Sequence, residues 1–156
     1  MRLSLTVGRW FAGLALALAG LTARVWFGDD DIDPAALSAT QPASTAEHAV
    51  RGAQLALAGN CASCHTARGG PRYAGGRPIE TPFGTAYAGN LTPDLDTGLG
   101  RWTAADFWRA LHHGRGKDGR RLLPAFPYTS FTQITRADSD ALFAHLRSLP
   151  AVADHE

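Results

Sequence analysis

A chain of 156 residues is long enough for one domain with an appendage and too short for a multidomain enzyme. A formal net charge of +1 with 19% charged residues excludes both a basic nucleic-acid-binding surface and an acidic disordered tail. The 45% of apolar residues can bury a core, but 17 Gly and 9 Pro mean that much of the chain is loop, which something besides regular structure must organise.

Residues 1–27 read as a membrane segment. Arg2 and Arg9 precede an uncharged run from Trp10 to Ala23, and Asp29, Asp30 and Asp31 follow it. Positive charge is retained on the cytoplasmic side, so this asymmetry predicts that the rest of the chain is exported. From Trp10 to Phe27 a helix would be roughly 27 Å long, just short of the hydrocarbon core, with Arg24 snorkelling and Trp10 and Trp26 at the interfaces. An uncleaved anchor is the reading this favours. Ala17-Leu18-Ala19 before Gly20 is also an acceptable cleavage site, and the alternative is a removed signal peptide with a soluble periplasmic product. Residues 28–43, with acids, small residues and two prolines, form a solvated linker.

A compact domain is expected over residues 44–153. Ser44 and Glu47 form a capping box for a helix of about three turns, and Gly59 is placed as its left-handed stop. That helix delivers Cys61-Ala62-Ser63-Cys64-His65, which holds both cysteines of the chain. In C-x-x-C-H the two thiols add across the vinyl groups of one porphyrin, and the histidine becomes the proximal iron ligand. One covalent haem c on Cys61, Cys64 and His65 is therefore the predicted cofactor. A thioredoxin-like redox pair would need a following helix, whereas residues 66–101 hold twelve Gly or Pro in 36 positions and read as a long loop. A zinc site would need four ligands. A plain disulfide in an oxidising compartment remains as the simplest structural alternative.

The second face of the iron is less well marked. The commonest partner ligand, Met, occurs once, at the initiator, so the candidates are His48, His112, His113, His145, His155, Lys117 or no protein ligand. A helix capped by Thr103 and Asp106, with Trp102 and Phe107 as a hydrophobic staple, runs to Gly114. At 100° per residue Phe107, Leu111 and Trp108 define its apolar face. His112 borders that face and His113 lies opposite, so His112 is the predicted second iron ligand, unless it merely borders the core or bonds a propionate. Trp108 and Phe126, with Phe107, Leu111 and Pro124, are expected to line the haem pocket. The basic loop 115–121 suits propionates, an acidic partner or simple solvation. Thr135 and Asp138 open the last helix, in which Ala141, Leu142, Leu146 and Leu149 recur at helical spacing before Pro150.

Taken together, Cys61-x-x-Cys64-His65, the stretch Ala74-Gly75-Gly76-Arg77-Pro78-Ile79-Glu80-Thr81-Pro82-Phe83-Gly84-Thr85, then Asn90-Leu91-Thr92-Pro93-Asp94 with Thr97-Gly98, and Pro124-Ala125-Phe126-Pro127-Tyr128-Thr129 carry a resemblance. In this order they resemble the cytochrome c subunits of membrane-bound bacterial alcohol, gluconate and aldehyde dehydrogenases. The resemblance spans about Ala46 to Val152. It implies a mostly α class I cytochrome c fold and single-electron transfer from a dehydrogenase towards quinone, an oxidase or another cytochrome of the respiratory chain. In many members the stretch matching Pro124 to Tyr128 reads P-A-M-P-Y with Met as axial ligand, and Phe126 stands there in this chain. Those subunits often carry three haems, and this chain has one attachment motif. The expected function is an electron carrier, not an enzyme, on the periplasmic side of the inner membrane. The alternative is a five-coordinate haem protein acting as a gas sensor or peroxidase.

Overall fold

The computed structural model describes residues 46–123 and 125–153. The segment read as a membrane anchor, the linker, Ser44 with its half of the first capping box, Pro124 and His155 lie outside the described residues. In chain order the elements are helix α1 (Ala46–Ala58), the one-turn helix α2 (Cys61–Cys64), strands β1 (Pro78–Thr81) and β2 (Gly84–Tyr87), a 3-10 turn Leu99–Arg101, helix α3 (Ala104–His113), a second 3-10 turn Tyr128–Ser130, and helix α4 (Arg136–Arg147). No helix among these residues is long and apolar enough to cross a membrane.

The first and last helices cross at a glycine. A Cβ built on Gly52 would stand 1.9 Å from the Ala141 carbonyl oxygen and 2.7 Å from the His145 Cβ, so any side chain there forces the helices apart. Ala56, Leu142, Phe143 and Leu146 are buried along this contact and meet Phe107 and Leu111 of α3 and Leu99 in a single core cluster. Phe107 and Phe143 pack with ring centroids 5.4 Å apart. At the far end of α4, Arg147 Nη1 donates to the Leu99 carbonyl at 2.9 Å and anchors the first 3-10 turn.

Local signals account for the helix starts. Thr103 Oγ1 accepts from the Asp106 amide at 3.1 Å, and the Asp106 carboxylate accepts from the Thr103 amide at 2.9 Å, a complete capping box. At the start of α4 the Thr135 side chain likewise accepts from the Asp138 amide. Gly114, at φ 61°, closes α3 in the left-handed conformation with its Cα face against the Tyr128 ring.

Two expectations are corrected. At the end of α1 the left-handed residue is Asn60 (φ 52°), not Gly59. A Cβ on Gly59 would make ordinary contacts with Cys61 Sγ at 3.5 Å and Phe131 Cε1 at 3.6 Å. The expected long loop 66–101 also holds a two-residue hairpin, with Pro78 paired to Tyr87 and Thr81 to Gly84 across Pro82-Phe83. Its strands are only four residues long, with β1 alternating exposed and half-buried positions and β2 burying Ala86 alone. That is why the Gly- and Pro-rich composition hid it.

Candidate haem site

Cys61 and Cys64 sit three apart on a single helical turn, which brings both thiols to the same side. The turn is closed by Ser63 Oγ donating to the Asn60 carbonyl at 2.8 Å and by the His65 amide donating to the Cys61 carbonyl at 3.1 Å. Both cysteines are free thiols; Cys64 is exposed and Cys61 half-buried. Burial pushes the Cys61 thiol above its ordinary pKa.

His65 is the most constrained side chain of the group. Its Nδ1 lies 2.7 Å from the Gly89 carbonyl oxygen. A carbonyl only accepts, so Nδ1 carries the proton and Nε2 keeps its lone pair, the tautomer a metal-ligating imidazole needs. Burial lowers the His65 pKa and keeps the ring neutral, against the smaller opposing pull of the Gly89 carbonyl.

Gly89 is held in place by backbone from both directions. The Gly75 amide donates to the His65 carbonyl at 3.0 Å, the Ala67 amide to the Gly75 carbonyl at 3.0 Å, and the Gly76 amide to the Ala88 carbonyl at 2.9 Å. Leu91 closes the arrangement by donating to the Tyr73 carbonyl at 2.8 Å. Gly75 is at φ 86°, and a Cβ there would be 2.8 Å from Ala88 O, Gly89 C and Asn90 N. Only glycine fits both that conformation and that approach.

Next to Gly89 a buried polar network ties the loop to the chain end. Asn90 Nδ2 donates to the Val152 carbonyl at 2.7 Å and to Thr97 Oγ1 at 2.9 Å, while its Oδ1 accepts from the Thr92 amide at 2.8 Å. Thr92 Oγ1 in turn accepts from the Val152 amide at 3.2 Å. Asp94 Oδ1 caps the turn by accepting from the Thr97 amide at 2.8 Å and from the Asp96 amide, and these bonds, led by Thr97's, hold its carboxyl below the usual range. Gly98 lies under the loop, where a Cβ would meet the Thr92 carbonyl at 2.2 Å. Sequence reading picked out the Asn90–Gly98 stretch as a motif but assigned none of these roles, and nothing in the sequence marks Val152 or Gly89 as partners.

The other predicted site residues divide. Phe126 packs against the core cluster beside Phe131, with ring centroids 5.6 Å apart, in the same cluster that Cys61 and Ala62 join. Trp108 does not join that core: its ring stacks on His112 at 3.3 Å, and the Arg136 guanidinium lies 5.9 Å from its centroid. The helical-wheel angle placed Trp108 near the apolar face, but His112 on its own helix offers it a stacking partner and Arg136 at the start of α4 a cation.

Both ring nitrogens of His112 face backbone carbonyls. Nε2 donates to the Ile134 carbonyl at 2.9 Å, and Nδ1 lies 3.2 Å from the Trp108 carbonyl of its own helix. Neither ring nitrogen is presented to a metal in this arrangement. Burial lowers its pKa, opposed by the two carbonyls. Among the described residues no three His, Cys, Asp or Glu side chains converge into a cage for a bare metal ion, so an ion at His65 has to bring other ligands with it. Two free thiols on one turn, a neutral histidine with Nε2 unprotonated, and an adjoining aromatic cluster fit a porphyrin iron.

Comparison with known proteins agrees. Residues 49–150 match the cytochrome c family. The chain is 57% identical over 98 residues to a nicotinate dehydrogenase subunit of Pseudomonas putida, covering 63% of this chain and 8% of that protein. It is 46% identical over 95 residues to the gluconate 2-dehydrogenase cytochrome c subunit of Pantoea cypripedii, covering 61% and 22%. A diheme cytochrome c-type protein of Cereibacter sphaeroides is 38% identical over 155 residues, covering 96% of this chain and 49% of that one. The chain thus spans half or less of the length of these curated relatives.

Proposed function

Since the chain belongs to the cytochrome c family, we propose that it is an exported electron-transfer protein carrying one haem c, reduced by a periplasmic or membrane-bound dehydrogenase. The observation that carries this reading is His65, whose Nδ1 is committed to the Gly89 carbonyl so that Nε2 is left as a donor one residue after two free thiols. When bound, haem c supplies a one-electron iron couple. The protein's part is to bond the porphyrin through Cys61 and Cys64, to orient the His65 ring through Gly89, and to exclude water with Phe126 and its neighbours, which shifts the potential. Relatives named as subunits of nicotinate, alcohol and gluconate dehydrogenases support a dehydrogenase partner. Electrons would pass on to quinone, an oxidase or another cytochrome, with the N-terminal segment holding the domain at the periplasmic face of the inner membrane.

The test is to express the full chain in a bacterial host that attaches haem c, then measure pyridine haemochrome per chain and one-electron redox titration in washed membranes. One covalent haem and a single reversible couple are expected. Haem that is extracted by acid acetone, or absent, overturns the reading, and Cys61→Ala with Cys64→Ala is the matching control.

A further inference from the structure

We propose that a cavity between α1, the loop at residues 71–73 and the end of α4 binds a medium-chain aliphatic monocarboxylate, with the carboxylate on Arg72 and the chain against an aliphatic wall. The cavity has a volume of about 410 Å³, at the small end of the range for small-molecule sites. It reaches the surface, since Leu57, Pro71 and Arg72 of its lining are exposed. None of Cys61, Cys64, His65 and Phe126 lines it, so it is a separate site from the haem-attachment turn.

Tyr73 gives this cavity its built character. It takes the left-handed conformation at φ 65°, which a bulky L-residue rarely adopts and which persists only where the surroundings fix it. Both of its backbone groups are tied: the amide donates to Thr66 Oγ1 at 3.1 Å, and the carbonyl accepts from the Leu91 amide at 2.8 Å. The side chain lines the cavity and is 3% exposed, and its hydroxyl has no hydrogen-bond partner among the described residues. The Arg72 guanidinium lies 5.1 Å from the centroid of the Tyr73 ring, and the His145 ring stands edge-on to it with centroids 6.2 Å apart. A strained residue held from both sides thus gathers a cation, an imidazole and a phenol at one cavity.

Charge and wall chemistry select the ligand class. Among the described residues Arg72 has no carboxylate partner, and no Asp or Glu lines the cavity. Burial, and after it the Arg72 charge, hold the His145 pKa below its ordinary value, so near neutral pH the imidazole is uncharged and the guanidinium alone supplies positive charge. One cation matches a monoanion, and a planar carboxylate meets a guanidinium through two parallel hydrogen bonds. The remaining lining is largely aliphatic, with Leu57 from α1, Pro71, and Leu149, Pro150 and Val152 beyond α4. Such walls gain from each methylene they cover, which favours an anion with a hydrocarbon tail over acetate or a free inorganic anion.

The experiment uses the full chain, produced in a host that attaches haem c and reconstituted in phosphatidylcholine nanodiscs. It is irradiated with a diazirine analogue of octanoate, and the labelled residues are mapped by mass spectrometry. Label is expected within residues 53–57, 71–73 or 145–152, and excess octanoate should suppress it. Label found only elsewhere, or label that octanoate does not suppress, overturns the proposal. Octanol has the same chain without the charge and is expected to need about tenfold more to protect, the worth of a hydrogen-bonded ion pair; equal protection by the two overturns the assignment of Arg72. Arg72 is exposed, so Arg72→Gln should fold like the parent, with an unchanged urea midpoint. That variant should lose about tenfold in protection by octanoate and nothing in protection by octanol. Arg77→Gln removes an exposed cation that does not line the cavity and should change neither. An equal loss in both variants makes the attraction one of general surface charge and overturns the site.

Discussion

Around His65 the backbone does the holding, whereas around Phe126 and His112 side chains do. On the histidine side, residues 65–76 and 88–92 are joined by main-chain hydrogen bonds and a glycine-tight approach at Gly75, and Asn90 fastens them to Val152. On the aromatic side, one imidazole reaching Ile134 and the stacks Phe126–Phe131 and Trp108–His112 fasten a run of turns. Backbone bonding keeps an imidazole in one tautomer and one direction; packing tolerates substitution and movement.

Gly75 is where the contrast should show most. Gly75→Ala combines a left-handed conformation with a 2.8 Å clash against the Gly89 segment and is expected to cost about 3 kcal/mol in urea denaturation and to reduce covalent haem yield. Asn90→Ala comes next, at about 2–3 kcal/mol, because it strips partners from the buried Thr92 amide and the Val152 carbonyl together. On the aromatic side His112→Ala is expected to cost about 1–2 kcal/mol. Hydrogen exchange would rise over residues 126–134 and stay unchanged at Gly75 and Leu91. Equal protection loss on both sides would erase the distinction.

Acid should act through two half-buried histidines, His112 and His145. His112 and His145 both have folded pKa values below the ordinary 6.5, chiefly through burial, with Arg72 adding to the effect at His145. The unfolded chain then binds protons first, so this stability is fully present above pH 6.5 and is lost as pH falls from 6.5 through the folded values. Denaturation midpoints measured at about pH 7.5 and about pH 5.5 should show the decline, smaller in His112→Ala. Least should happen at the hairpin tip, where Phe83 is 93% exposed and Phe83→Ser should change stability by less than about 0.5 kcal/mol.

Residues acting on near neighbours were legible in the sequence: the Thr103–Asp106 box, the Thr135 cap, the staple that brings Trp102 and Phe107 into one core, and the C-x-x-C-H turn itself. The same local logic failed at the end of α1, where Asn60 and not the adjacent Gly59 takes the left-handed conformation. It also did not reach the contacts that Trp108 and His112 make. A helical wheel measures angle on one helix and says nothing of the Arg136 and Ile134 that arrive from elsewhere.

The chemistry offered to a cofactor is written in the order of residues: two thiols and an imidazole at fixed spacing, and no thioether beyond the initiator Met1. Which atoms point where was settled by folding. The acceptor that sets the His65 tautomer is 24 residues away, Val152 closes on Asn90 across 62, and Gly52 meets Ala141 at a helix crossing. Bonds of that kind depend on which segments the folded chain brings within hydrogen-bonding reach, and no period or spacing along the sequence encodes that proximity.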